Sequence, residues 1–483
     1  MADESQNKTG AEIYATPFRD RRGGRTPANT YRIAIVLLVI ASIILAGALL
    51  LFSPTIVVAI PLILVSGIAI MAYPELGLVL YIILNFVRPA DFYPALAAVP
   101  LAKAIGGVTL IAVVLKHLMT KDLIFKVRQT YLLLAFAGAL ILSIPLSFWP
   151  SHSIDVTQDF IKIIIFYFIF INIVRDYSRL RLISLVTVVS AMFLGLFIIR
   201  SYLSGELRAG VAQSAMFDAN DVAQLLVTAL PFCLFWNMGR IKTPFGKIMA
   251  WGSMAFLTMT AILTSSRGAL LGLFVVYFIL FSGRQSLLMK ALKFTVIGAV
   301  GFLLISVLPS QIVSRYRTLG TYQQDESAMH RIYAWKAGMH MVAARPLTGV
   351  GIGCFGVAYG TAFRPGGDSA TRWMAPHNTF VQVAAETGVI GFTIFVAMIL
   401  LTLRQIIKVP PGDQQLADIS RIFLASLCGF LTCAVFLTQA LNFMLYFLVA
   451  ASVTIARLSA RHETELPPAD IEPLERQPIS SQI

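Results

Sequence analysis

Charge is in short supply in this sequence. Only 13% of its residues are Asp, Glu, Lys or Arg, against 57% hydrophobic, whereas soluble domains run near ~25% charged and ~45–50% apolar. A soluble core cannot absorb that excess. Cysteine is scarcer still: Cys233, Cys354, Cys428 and Cys433 have no metal-ligand spacing, and three of them sit inside apolar runs. That argues against a disulfide framework and a zinc site and leaves small buried hydrophobes. The net charge of +14 comes without a basic face or a basic block of the kind nucleic acid needs, because the Lys and Arg residues are scattered between apolar spans. Nor is the N-terminal stretch expected to be a cleavable leader. The first apolar span, Ile33 to Phe52, is too long for a signal-peptide core and has no small-x-small site followed by a polar domain.

What is present is a succession of apolar blocks of bilayer length. They predict helices near 33–52, 55–72, 76–87, 99–117, 131–148, 160–174, 180–202, 221–238, 247–264, 268–282, 293–308, 388–403, 421–439 and 441–456. The expected fold is therefore all-α, a polytopic bundle of about 12–14 helices with one large extracytoplasmic loop. Its parts are a cytoplasmic tail over 1–30, a transmembrane bundle over 31–308, the loop over 309–387, further transmembrane helices over 388–457, and a disordered, proline-bearing cytoplasmic tail over 458–483.

Orientation follows from Lys and Arg in the short connections. With the N-terminal tail in the cytoplasm, Lys116, Lys121, Lys126 and Arg128 fall inside, as do Arg175, Arg179, Arg181, Arg240, Lys242, Lys247, Arg284, Lys290 and Lys293. So do Arg404, Lys408, Arg421, Arg457 and Arg461, which puts both termini in the cytoplasm. The alternate connections are short or nearly free of basic residues, and the 309–387 loop faces outward. That loop carries Arg315, Arg317, Arg331, Lys336, Arg345, Arg364 and Arg372 where topology does not require them; long loops cross regardless of charge, so this basicity is free to serve binding. Within it, Ile332, Trp335, Met339 and Val342 predict an amphipathic helix on the membrane surface, ended by Pro346. Gly349, Gly351 and Gly353 then supply tight turns; no nucleotide-fold strand and helix flank them, so they do not form a phosphate loop.

Three outward-facing sites carry chemistry. Arg208 lies in Gly205-Glu-Leu-Arg-Ala-Gly210, ahead of Phe217-Asp-Ala-Asn-Asp221. Arg267 lies in Thr264-Ser-Ser-Arg-Gly268, wedged between two apolar spans, and His377 lies in Pro376-His-Asn-Thr-Phe380. An arginine so close to hydrocarbon either anchors at the interface or faces the bundle interior with a partner. Lone histidines are more often structural than catalytic. Together the three suit transfer from a pyrophosphate-linked donor: guanidiniums grip a diphosphate bidentately, and an imidazole, with an ordinary pKa near ~6.5, accepts a proton from an attacking hydroxyl.

His377-Asn378, nine residues, then Gly388-x-x-Gly391 resembles the histidine motif of the O-antigen ligase and polymerase superfamily of bacterial envelope glycosyltransferases. Thr264 through Gly268 resembles that family's arginine segment, Arg208 through Asn220 its earlier arginine and asparagine segment, and Arg331 through Trp335 to Gly351 is similar as well. The resemblance covers roughly 200–400. It implies a GT-C-like membrane glycosyltransferase that uses an undecaprenyl-pyrophosphate-linked glycan, inverts the anomeric carbon and needs neither metal nor other cofactor. It also implies catalytic roles for His377, Arg267 and Arg208 and substrate-binding roles for Asn220, Arg331, Asn378 and Glu386. The implied partners are that donor, a saccharide or lipid A-core acceptor, the surrounding membrane lipid and other polysaccharide-assembly proteins; the implied location is the bacterial inner membrane with the long loop in the periplasm. Ligation, polymerisation and protein O-glycosylation share these motifs. A lipid-linked oligosaccharide flippase is the rival from another class, but the sequence shows none of the paired hydropathy repeats that mark many transporters.

Overall fold

The computed structural model describes residues 64–89, 100–205, 218–238, 243–282, 326–366, 373–409 and 413–465. The chain divides into two compact units, Met1–Ile68 and Ala69–Ile483. Of the first, only 64–68 are described, and they are helical. The expected helices at 33–52 and 293–308 lie outside the described residues, as does Arg208.

Among the described residues of the second unit there is no strand. The helices are α1 (Pro74–Val87), α2 (Leu101–Thr120), α3 (Arg128–Ser143), α4 (Pro150–Ile173), α5 (Tyr177–Leu203), α6 (Ala219–Ala229), α7 (Pro244–Leu263) and α8 (Arg267–Phe281). There follow α9 (Glu326–Ala344), the short α10 (Phe355–Ala358), α11 (Thr379–Ile407), α12 (Gln414–Ala434) and α13 (Phe443–Glu465). Seven described segments are long and apolar enough to cross a membrane: α2, α5, α6 with its continuation to Asn237, α7, α11, α12 and α13. The fold is thus the all-α, multi-spanning bundle that hydropathy predicts.

Several boundaries differ from the hydropathy reading for local reasons. The span at 221–238 is one turn type up to Ala229 and another after it: Pro231 removes an amide, and Leu230–Asn237 tightens into a 3-10 helix. Helix α4 begins ten residues before its apolar run, at Pro150, whose fixed φ suits a first helical turn. Helix α12 begins at Gln414 because Asp413 accepts the Leu416 amide at 2.8 Å, and it stops at Ala434, well before the expected 439. In α9, Ala334, Ala337 and Met341 are buried while Met339 of the expected membrane-facing stripe is 62% exposed; small residues let α9 approach α11 closely, Gly338 lying against Val381.

The helices alternate in direction, and one end of the bundle carries basic residues tied to backbone. At that end Arg175 reaches the Asp122 carboxylate at 2.5 Å, Arg457 donates to the Ile171 carbonyl at 3.2 Å, and Arg181 donates to the Phe235 carbonyl at 2.8 Å. The Thr120 hydroxyl, with Arg175, holds the Asp122 carboxyl down to about 2. The N-terminus of α11, the C-terminus of α7 and the turn between α12 and α13 lie at the opposite end.

Helix α11 is broken at Gly388, which sits at φ 66 and ψ −169. The break frees carbonyls, and the glycine-rich strip after α9 fills them: the Val350 amide donates to the Ala385 carbonyl at 2.8 Å and the Gly351 amide to Glu386 at 3.1 Å. Val389 returns the contact to the Pro346 carbonyl at 2.7 Å. A Cβ on Gly388 would stand 2.4 Å from the Leu347 carbonyl carbon, and one on Gly349 would stand 2.4 Å from that of Glu386. Gly388→Ala therefore combines left-handed strain with a backbone clash and is expected to destabilise by more than about 2 kcal/mol. A thermal melt of detergent-solubilised protein checks this; an unshifted midpoint would show that the break is not needed.

Candidate active site

Arg267 is the first residue of α8, after a turn in which Thr264, Ser265 and Ser266 are all buried. Ser266 caps the helix by accepting the Ala269 amide, and Ser265 takes a left-handed φ of 56. A guanidinium at the first helical position adds positive charge where the helix dipole is already positive. Such an arrangement disfavours the helix slightly and favours an anion strongly.

His377 precedes α11, half-buried, with its backbone at φ 44. Non-glycine residues in that region are uncommon and cluster at sites held by their surroundings. Three contacts hold this one. The His377 amide donates to Thr438 Oγ1 at 3.2 Å, and the Trp335 indole donates to the Pro376 carbonyl at 3.0 Å. Asn378 caps α11 by accepting the Phe380 and Val381 amides at 2.9 and 3.1 Å. Arg331 lies one turn before Trp335 on the same face of α9.

The feature missed in the sequence is the turn over 435–442, read there as helix. Its Phe436 lies against Gly268, next to Arg267, and its Thr438 holds His377, so the two candidates flank one segment. Gln439 donates to Asp221 Oδ1 at 2.5 Å, its amide donates to Thr379 Oγ1 at 3.0 Å, and the Ala440 amide donates to Gln382 Oε1 at 3.2 Å. Helices α6, α8 and α11 are thereby tied to one polar turn. The run Thr438-Gln439-Ala440-Leu441-Asn442, polar within a long apolar stretch, was the signal available.

That turn walls a cavity of about 680 Å³, within the usual range for small-molecule sites. Side-chain amides line it generously: Asn85, Gln224, Gln382, Gln439 and Asn442. Arg88, Lys103 and Lys162 bring positive charge, Asp159 and Asp221 negative, and Tyr81 and Phe443 aromatic faces. Lys162 is ion-paired to Asp159. Planar amides and carboxylates beside aromatic rings are suited to hydroxyl-rich ligands.

The remaining candidates sit differently. Asp218 caps α6, accepting the Asn220 amide at 2.6 Å, and Asn220 stays beside it at the helix start. Glu386 is 3% exposed and accepts the Phe355 amide at 3.2 Å and Gln382 Nε2 at 3.3 Å, which ties α10 to α11 away from the cavity lining. Among the described residues no three His, Cys, Asp or Glu side chains gather as a metal site would need.

Fold and site together define a multi-spanning membrane protein with a cationic and polar site at one end of its bundle. Residues 252–396 match the family described as O-antigen ligase, a stretch that contains both Arg267 and His377 and bears out the resemblance they carry. A Rickettsia conorii protein provisionally named a polysaccharide ligase is 26% identical over 141 residues, 27% of this chain and 32% of its own length. A Rickettsia felis protein of the same provisional name is 24% identical over 124 residues, 25% of this chain and 30% of its own. The matched part spans about a third of the length of these curated relatives.

Proposed function

We propose that this protein transfers glycan from an undecaprenyl-pyrophosphate-linked donor to an acceptor hydroxyl, as an O-antigen ligase-like ligase or polymerase. The observation that supports the reading is the 435–442 turn itself, which holds the His377 backbone through Thr438, packs Phe436 against Gly268, the residue after Arg267, and walls a cavity lined with amides. Arg267, with Arg208, holds the pyrophosphate and stabilises it as it leaves. His377 accepts the proton of the acceptor hydroxyl, whose oxygen bonds to the anomeric carbon as the bond to the pyrophosphate oxygen breaks, with inversion and without metal. Asn378 positions His377 through the α11 cap, Glu386 positions the segment below it, and Asn220 and Arg331 contact substrate at the rim.

The gathering of Lys and Arg at the other end of the bundle supports a cytoplasmic placement of that end and of both termini, with the site at the periplasmic face of the inner membrane. The acceptor is a saccharide or a lipid A core. The test is deletion of the gene followed by comparison of surface glycans. Unattached long chains should accumulate if ligation is lost, single repeat units if polymerisation is lost. An unchanged glycan profile in the deletion would refute the proposal.

A further inference from the structure

At the end of the bundle opposite His377, a second cavity of about 230 Å³ opens between α3, α11 and α13. Arg128 comes from the start of α3, Arg404 from the last turn of α11 and Lys408 from the residue that caps its end; Ala456 and Ser459 of α13 line it without bulk. No carboxylate lines it. This sets the three cations apart from others at the same end, since Arg175 pairs with Asp122 at 2.5 Å, Arg179 with Glu75 at 2.8 Å and Arg421 with Asp418 at 3.9 Å. Among the described residues Arg128, Arg404 and Lys408 have no ion pair. Like charges four residues apart on a helix repel, so the bundle holds three mutually repelling cations around one hollow.

The hollow is held rigid from beneath. Gln129 donates to Thr402 Oγ1 at 2.9 Å and to Gln405 Oε1 at 3.0 Å, and Ser452 donates to Gln405 Oε1 at 2.8 Å. With its oxygen taken twice, Gln405 has its Nε2 left as a further donor at the cavity wall. The lining thus offers cations and an N–H donor to an anion. Leu400 and Ile407, 58% and 61% exposed, lie on the Arg404 face of α11, one turn before and one after it. They give an apolar track directly beside the charge.

We propose that this pocket binds the phosphodiester headgroup of an anionic membrane phospholipid, with acyl chains along Leu400 and Ile407, as basic pockets between spanning helices do. The full-length protein, reconstituted in nanodiscs of phosphatidylcholine with or without cardiolipin, tests it by native mass spectrometry and thermal melting. The wild type should retain a cardiolipin adduct and melt higher with cardiolipin. Each of Arg128→Gln, Arg404→Gln and Lys408→Gln should lower retention about fivefold, and the triple variant should lose the cardiolipin-dependent rise in melting temperature. Lys116→Gln, a cation at the same end outside the pocket, should retain both. Equal loss with Lys116→Gln would reduce the effect to general surface charge and overturn the proposal. Equal stabilisation by inorganic phosphate in phosphatidylcholine discs would overturn it in favour of a free anion. Should the triple variant fail to fold, the single variants decide, and unchanged retention in all of them also overturns it.

Discussion

Arg267→Lys is expected to lower glycan transfer by at least about a hundredfold, the size of effect seen when one preorganised donor to a developing negative charge is lost. Lysine keeps the charge and discards the planar fork, and a diphosphate is gripped by that fork. The position sharpens the expectation. Arg267 opens α8 after three buried hydroxyl residues, so its guanidinium acts with the amide groups of the first turn on the same anion. Lysine leaves the charge at the positive end of the helix unchanged, so the helix-dipole interaction is the same in both proteins. The variant should therefore melt within a degree or two of wild type and still lose activity. Initial rates in membranes with matched protein levels measure this, and a lysine variant within tenfold of wild type would sink the diphosphate grip.

The fold was legible wherever hydropathy alone governs. Lipid requires every backbone group to be satisfied within a helix or by neighbouring protein, so apolar runs of bilayer length declare themselves. What hydropathy did not carry were features set by single side chains: the 3-10 tightening after Pro231, the cap by Asp413 that starts α12 in polar sequence, and the polar turn over 435–442. Breaks and caps depend on partners far along the chain, such as Thr438 for His377 and Gln382 for Ala440. A one-dimensional average dilutes them.

The site was legible in part for the same reason. Arg267 and His377 stood out because charge is scarce beside apolar spans. The glycine-rich strip after α9 looked like turns and proved to be the plug of a broken helix, since only the three-dimensional contact shows which carbonyls it serves. Glu386, which the resemblance assigns to substrate, accepts the Phe355 amide and Gln382 Nε2, contacts between α10 and α11 that its place in the sequence does not announce. Conversely Asn85 and Gln224 gave no local signal, and Gln439 only that of the polar run around it. They become a polar wall only because α1, α6 and the α12–α13 turn converge on one cavity.

His377→Asn is the second large effect expected, a fall of about 10²–10⁴ in transfer rate with the folded protein retained. The choice of asparagine follows from the backbone. His377 sits at φ 44, a region asparagine tolerates and alanine enters at roughly 1–2 kcal/mol; His377→Ala therefore confounds lost chemistry with lost geometry. Asparagine also cannot serve as a base. Wild-type activity should show an acid limb, because an imidazolium has no lone pair to accept the hydroxyl proton. The asparagine variant's residual rate should lack it. A donor KM near wild type would place the loss in the chemical step. Activity above a tenth of wild type, or an acid limb that survives the substitution, would remove His377 from the reaction and leave it as the residue that sets where α11 begins.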